Sequence, residues 1–496
     1  MTIPAAFVYE SLLGHNYLPA QRRKKEELPP IFRSVTFTPV AAAPLLAMKP
    51  ANKARGFDLI EYRATKFNAV ARSYAIPHPV AYAQLANCIG NNWDAIEPFQ
   101  LSDVSMIRPR QHRDGRLIIM DYEKFASRAS RVRRLAFNQR YVAKADIASC
   151  FPGVYTHAIP WAVVGKAAAK LTTKGGWHND LDFHTRRCVR DETQGIPIGP
   201  GSSNVIAEIL LSTIDQKLAP EFNYVRGGGI NGMSRFIDDY SFYCDSFDEA
   251  ERFIRRLDEE LNALRLRLNP KKTAILTPAM PFGDVWAAEL ALRLPTSVPI
   301  DAYKCTNYLE FATSLASKHP EGSILKYAGN ALATSNLSMS AKEATLDYLL
   351  VLAIANPVLL PLLENLFDDT MIAGSVRYPD RILDILYDGA LRHRSDTMAW
   401  TLYYCRKYNL TIPSRVAEAI IRTEDCIALL SLLLTSQHLP LITAWAATQD
   451  KTDSYALDRY WLLFYQMHLN GHIAADFCSV PAAFEAMKTA GVTFVV

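Results

Sequence analysis

The chain has 496 residues, of which 49% are hydrophobic and 21% charged, with a formal net charge of +4. This is an ordinary composition for a soluble globular protein, with room for two or three domains around a large core. Its most apolar run, Tyr348 to Leu363, is broken by Asn356, Pro357 and Pro361 and falls short of the ~20 residues a membrane span needs, so a buried helix pair is expected there and no membrane partner. The eight cysteines are scattered without CxxC or Cys/His ligand spacing, which argues against a disulfide framework or zinc site and for reduced thiols in a cytoplasmic protein. The first residues lack the basic-then-apolar pattern of a secretory signal.

Residues 1–55, rich in Pro and Ala and carrying the basic run Arg22-Arg23-Lys24-Lys25, read as an irregular, partly extended arm. From about 57 to 145, helical pieces are expected around one hairpin. Its arms would be Met106-Ile107-Arg108 and Leu117-Ile118-Ile119-Met120, turning at Asp114-Gly115. Between Leu101 and Ala145 stand eleven Lys/Arg against four Asp/Glu. Such a basic segment, with Arg110 and Arg116 among its members, suits nucleotide triphosphates or a nucleic-acid backbone; a solvated helix face would look the same.

From 141 to about 280, strands and helices alternate. A strand at 141–147 precedes a helix near 155–172, and a helix at about 201–218 follows the Gly/Pro-rich loop 195–201. A strand pair around 233–244 comes next, approached through glycines 227–229 and Asn231-Gly232. Phe253, Ile254, Leu257, Leu261 and Leu264 then mark an amphipathic helix at 247–264. The order is α+β around a small antiparallel sheet, with one unit expected over 56–290, the region that the resemblance given below makes fingers and palm. After Pro295-Thr296-Ser297-Val298-Pro299 the strand signals fade. Leu/Ala-rich segments with Asn-Pro, Tyr-Pro, Ile-Pro and Leu-Pro breaks predict an all-α array of helical repeats over 296–496; an irregular helical bundle is the alternative.

Two carboxylate clusters carry the chemistry. Asp146 lies in Tyr141-Val142-Ala143-Lys144-Ala145-Asp146-Ile147, and Asp238-Asp239 in Arg235-Phe236-Ile237-Asp238-Asp239-Tyr240, each beside a strand-prone run. If those strands are neighbours, Asp146 and Asp238 converge on an oxygen-rich pocket suited to Mg²⁺, with the Ile147 carbonyl as a further ligand and Asp239 in an outer role. Two such ions can clamp both oxygens of an in-line phosphoryl displacement. Phe151 would floor the nucleotide site, where its ring would exclude a ribose 2′-OH; taken alone it reads as core packing. Gln194-Gly195-Ile196-Pro197 opens a helix whose free N–H groups suit phosphate or template. The loop lacks the Gly-Lys-Ser/Thr ending of a Walker loop. Lys272, slightly favoured over Lys271 in Leu268-Asn269-Pro270-Lys271-Lys272-Thr273, can approach a departing pyrophosphate.

In this order and spacing the four segments resemble the A, B, C and D motifs of reverse transcriptases, over about residues 60–285. Phe236 stands where the C motif usually has Tyr, a change that keeps the ring. Thr156-His157-Ala158-Ile159-Pro160-Trp161-Ala162, the Gln194–Pro200 loop and the helical C-terminal half are similar to bacterial abortive-infection reverse transcriptases. That resemblance implies a phage-defence DNA polymerase with a HEAT-like helical domain and oligomeric assembly. It also implies template-independent addition of deoxynucleotides, Mg²⁺ as cofactor with Mn²⁺ able to substitute, and a DNA product primed by a tyrosine of the protein. A phage protein is a further candidate partner. Tyr9 and Tyr17 on the arm are the candidate primers, although either suits packing equally well. The alternatives are a templated reverse transcriptase, an RNA polymerase, disfavoured by Phe151, and a helical binding scaffold with an inactive palm.

Overall fold

The computed structural model describes all residues except 1, 20–26, 52–54, 67–69, 121–124, 223–231, 278–284, 321, 368–371 and 373–375. The basic run 22–25, glycines 227–229 and Asn231 therefore lie outside the described residues. Among those described are a hairpin of β1 (Leu59–Thr65) and β2 (Ala71–Pro77) and a short one of β3 (Arg110–Gln111) and β4 (Leu117–Ile118). The central sheet contains β5 (Tyr141–Asp146), β6 (Gly232–Phe236), β7 (Asp239–Cys244) and β8 (Ala274–Leu276). Its strand order is β6-β7-β5-β8, antiparallel throughout.

The two-residue period of a strand divides this sheet into unlike faces. Ala143, Ala145, Met233, Tyr240 and Phe242 point into the main core, against helices Gly201–Glu221 and Phe247–Ala263. Phe242 stacks on Phe253 with ring centroids 4.7 Å apart, and Phe222 packs edge-on against both. Burial of each such ring is worth about 2–3 kcal/mol. The 247–263 helix begins where expected because the Ser246 side chain accepts the Glu249 N–H, with Asp248 and Glu249 in its first turn. The opposite face of the sheet presents Val142, Lys144 and Asp146 of β5, opposite Tyr243, Ser241 and Asp239 of β7.

Beyond residue 300 every described element is helical. Helix Arg377–Leu391 packs on Ser395–Lys407 and Ser414–Arg422. Ser395–Lys407 packs on Cys426–Leu433, and that helix on Trp461–Leu469. Each helix thus meets the next one or two along the chain, the layering of a helical array. The apolar run at 348–363 folds as the end of helix Met339–Ala353 and a 3₁₀ turn at Pro357–Asn365, mostly buried. No described helix is long and apolar enough to cross a membrane. All eight cysteines are reduced and buried.

Three expectations change. The N-terminal segment is no irregular arm: helix Ala5–Gly14 is half-buried, and Val8, Leu12, Leu13 and Tyr17 belong to the main core. Residues 31–36 also clasp the last strand-like residues, with Phe32 bridged to Val495 and the Thr36 and Thr493 hydroxyl and backbone groups bonded to each other. The β1–β2 hairpin replaces the helix expected after residue 57: Ile60, Tyr62 and Ala64 are buried and Glu61 and Arg63 exposed, the period-two pattern of a strand. The helix near 155–172 is two, Ala158–Val164 and Lys166–Leu171, separated by Gly165 at φ +83°, a conformation that favours glycine.

The helical array is joined to the β1–β2 hairpin by buried carboxylates. Asp396 accepts the Thr65 N–H at 2.5 Å and Thr65 Oγ1 at 3.2 Å. Asp458 accepts the Asp58 N–H at 3.0 Å and the Ser479 hydroxyl, while Arg459 and Arg190 bind the Asp58 carboxylate. His78 Nε2 lies 3.8 Å from Asp458 Oδ1, but burial drives the imidazole down to about 3 and the carboxyl up to about 7, so both are largely uncharged. An acid whose folded-state pKa is raised holds a proton that the unfolded chain has lost. Its contribution to stability therefore falls as pH rises from about 4 to 7, while that of the buried imidazole, lowered from its ordinary value, rises from about 3 to 6.5, so the two oppose each other over the shared window. We expect Asp458→Asn to leave the His78 contribution unopposed: its melting temperature should rise more between pH 5 and pH 6.5 than that of the wild type in the same buffers.

Candidate active site

Antiparallel pairing of β5 with β7 sets Asp146 directly opposite Asp239. β6 and β7 are joined by the two-residue turn Ile237-Asp238, and the Ile147 N–H donates to the Asp238 carbonyl at 3.2 Å. The expected convergence of the two acidic clusters is therefore what the fold produces, at one end of the central sheet. Ile237 adopts φ +58°, a left-handed conformation that a β-branched residue takes only where its surroundings enforce it.

Arg235 supplies that enforcement. Its side chain is fully buried and donates to Asp215 through Nε and Nη2 and to Glu208 through Nη1 and Nη2, at 2.7–3.1 Å. Nη1 also donates to the Ile237 carbonyl at 3.0 Å. Ser102 Oγ and the Tyr240 hydroxyl complete the cage by donating to Asp215 at 2.6 and 2.9 Å. Sequence reasoning missed this network. Its only signal was an Arg inside a buried strand, next to the acidic pair.

Around Asp146, the Asn269 amide donates to Oδ1 at 3.1 Å and Lys272 Nζ to Oδ2 at 2.8 Å, while the Asn269 N–H binds the Asp146 carbonyl at 2.8 Å. Lys272 thus lies at the carboxylates, and its pKa is raised by its hydrogen bond to Asp146. Asn269 was overlooked within the same motif. Burial, helped by the charge of Asp146, raises the Asp238 carboxyl. Burial and both neighbouring carboxylates push Asp239 up to about 6. This is a pocket with surplus negative charge, chemistry that fits a divalent cation. Among the described residues no three His, Cys, Asp or Glu side chains form a ready cage. Two carboxylates and a backbone carbonyl would hold Mg²⁺, which keeps several waters and takes its remaining oxygens from substrate phosphates.

The A and B segments are stitched together. Gly195 N–H donates to the Val154 carbonyl at 2.7 Å, Ile196 N–H to Phe151 at 3.1 Å and Thr156 N–H to Thr193 at 2.9 Å. Gln194 Nε2 donates to the Pro152 carbonyl at 3.0 Å. Phe151, in the short helix Cys150–Gly153, is half-buried and packs on the main core with part of its ring free. Gly195 has φ +89°, which spares the turn a side-chain clash.

Other expected residues lie elsewhere. Arg116 is locked by bidentate contact with Asp114 at 2.7–3.0 Å. Although burial opposes it, hydrogen bonds from Arg116 and His112 hold the Asp114 carboxyl well below the usual range. The Arg116 charge is thus committed within its own hairpin, while Arg110 on β3 is exposed. Tyr17 is fully buried, stacked on Tyr82 and donating to the Pro77 carbonyl at 2.5 Å, so the structure removes it as an accessible nucleophile. Tyr9 is half-buried against Gly90; burial raises its hydroxyl to about 12.

Replacing Arg235 by Met leaves Glu208 and Asp215 buried without their cation and should cost about 3–5 kcal/mol, read as a lowered urea midpoint. The companion Tyr240→Phe, which removes one donor to the Asp215 carboxylate, should cost about 1.5–3 kcal/mol.

The reverse transcriptase (RNA-dependent DNA polymerase) family matches residues 102–316. This interval contains all four motifs and ends within helix Ala302–Lys318. No curated protein matches the chain. Among solved structures, apo telomerase from Candida Tropicalis is similar at 12% identity and TM-score 0.34, over 83% of this chain and 71% of that one. Its form truncated from the C-terminal domain aligns at 14% identity and TM-score 0.30, over 47% of this chain and 52% of that one, so this chain spans about half of that relative's length. The same telomerase in complex with a TWJ fragment of telomeric RNA aligns at 12% identity and TM-score 0.33, over 81% and 65%. Likenesses this loose say nothing of partners or mechanism. The family match and the converged motifs lead to one statement: residues 102–316 form a reverse transcriptase domain.

Proposed function

We propose that this polymerase acts in bacterial anti-phage abortive infection, adding deoxynucleotides without a template to a primer supplied by its own chain. The observation that carries the polymerase site is the pairing of Asp146 with the Asp238-Asp239 turn at one end of the sheet. In this reading Asp146, Asp238 and the Ile147 carbonyl hold Mg²⁺, which when bound activates the attacking hydroxyl and neutralises the phosphates. Asp239 tunes the local charge. Phe151 excludes the ribose 2′-OH, and Gln194 and Gly195 border the nucleotide. Lys272 moves between Asp146 and the leaving pyrophosphate, where its ammonium offsets developing charge. Arg110 is the finger cation on β3, and Tyr9 is the remaining candidate for priming, which requires its hydroxyl to leave the buried position it holds on helix Ala5–Gly14.

Family resemblance supports the defence role, template independence, protein priming and oligomeric assembly; the surplus carboxylate charge supports the cation. A templated reverse transcriptase is the second reading, favoured by the family match itself.

Purified protein should incorporate deoxynucleotides with Mg²⁺, and Asp238→Asn should lower the rate by at least about a thousandfold, some 4 kcal/mol of barrier. Unchanged synthesis by that variant refutes the metal assignment. Phe151→Ala should admit ribonucleotides that the wild type rejects, measured as the ratio of kcat/KM for the two sugars. Homopolymer template–primers decide between readings, since product dictated by the template favours the second. Mass spectrometry of the isolated protein should find an oligodeoxynucleotide on a tyrosine, and its attachment anywhere but Tyr9 corrects that choice.

A further inference from the structure

Helix Phe125–Ala136 carries Arg128, Arg131, Arg133 and Arg134 and no acidic residue. Leu135 packs with Val142 of β5 and Tyr243 of β7 in a cluster separate from the main core, joined by Val132, Ala136 and Leu276 of β8. Leu135 also lies where a side chain on Gly232 of β6 would stand. Val142 is on the same face of β5 as Asp146, and Tyr243 on the same face of β7 as Asp239. The helix therefore lies across the sheet face that carries the carboxylates, four β5 residues from Asp146, about 14 Å at the rise of a strand.

The Arg128, Arg133 and Arg134 side chains are exposed, and so is Phe137 at the end of the helix, 74% accessible. Exposed guanidinium groups with an exposed ring beside them match single-stranded nucleic acid, whose phosphates pair with the cations and whose unpaired bases stack on the aromatic. A duplex has no free base for Phe137.

We propose that helix 125–136 with Phe137 is a binding strip for a single DNA strand, guiding the product away from Asp146 while denying the sheet to a duplex. The inference rests on the polymerase reading above for the identity of that strand as product.

The test uses the full-length protein and two fluorescein-labelled probes, a 20-nucleotide oligo(dT) and a hairpin duplex of equal phosphate number. Binding is measured by anisotropy between 50 and 200 mM NaCl. Arg128→Ala/Arg133→Ala/Arg134→Ala should bind oligo(dT) at least about tenfold more weakly, with a log–log salt slope shallower by about two. Phe137→Ala should weaken oligo(dT) and leave the hairpin unchanged. A control lacking three remote surface charges (Lys318→Ala/Arg422→Ala/Lys488→Ala) should bind as the wild type does. The proposal is overturned by unchanged oligo(dT) binding in the arginine variant, by equal loss in the control, or by a wild type that binds hairpin as tightly as oligo(dT). Asp238→Asn separates the two readings: if it and the wild type make no DNA yet the strip binds as expected, the polymerase reading fails and the strip stands.

Discussion

The buried guanidinium of Arg235 holds the active-site turn in place. A lone charge at this depth would be strongly unfavourable, as would Glu208 and Asp215 without a cation. Together they bind helix Gly201–Glu221 to β6, and the remaining donor reaches the carbonyl of Ile237. The left-handed conformation of that residue is maintained by a rigid polar cage below it. The position of Asp238 therefore depends on groups outside the acidic pocket itself. Ser102, just inside the family match, and Tyr240, just after the acidic pair, close the same cage.

A sheet with one dry and one polar face sets the rest of the arrangement. The dry face is filled by aromatic packing of Phe222, Phe242 and Phe253, which fixes strand register, and register in turn decides that Asp146 and Asp239 share the polar face. The A and B segments are pinned to each other by backbone hydrogen bonds rather than by side-chain charge. These bonds fix the spacing of Phe151 and Gly195.

Much of this was legible in the chain. The strands at 141–146 and 232–244, the helices beginning at 201 and 247 and the α-helical second half follow from periodicity, caps and turn residues. Asp146 and the Asp238 turn were readable because a carboxylate beside a strand-prone run is costly to desolvate unless a cation or a donor meets it. Less visible was whatever depends on tertiary neighbours. The β1–β2 hairpin is the exception, since Ile60 to Ala64 alternate as a strand does and were legible. Tyr17 looks mobile by its Pro-rich surroundings but is stacked between Tyr82 and Trp461. Arg116 resembled an uncommitted cation because Asp114, two residues away, folds back on it through the turn. Asn269 and Arg235 each sat inside a recognised motif, yet no local pattern signals that a polar side chain will meet a carboxylate far along the chain.

The clasp between residues 31–36 and 493–495 affects the order of events during synthesis. Thr36 and Thr493 are 457 positions apart, and a ribosome adding about 5–20 residues per second takes tens of seconds to cover that distance. Until then Phe32 lacks its bridging partner Val495, and the ring of Phe37 lacks Phe494. The amino-terminal edge of the main core is thus closed only after residues 493–495 have been made.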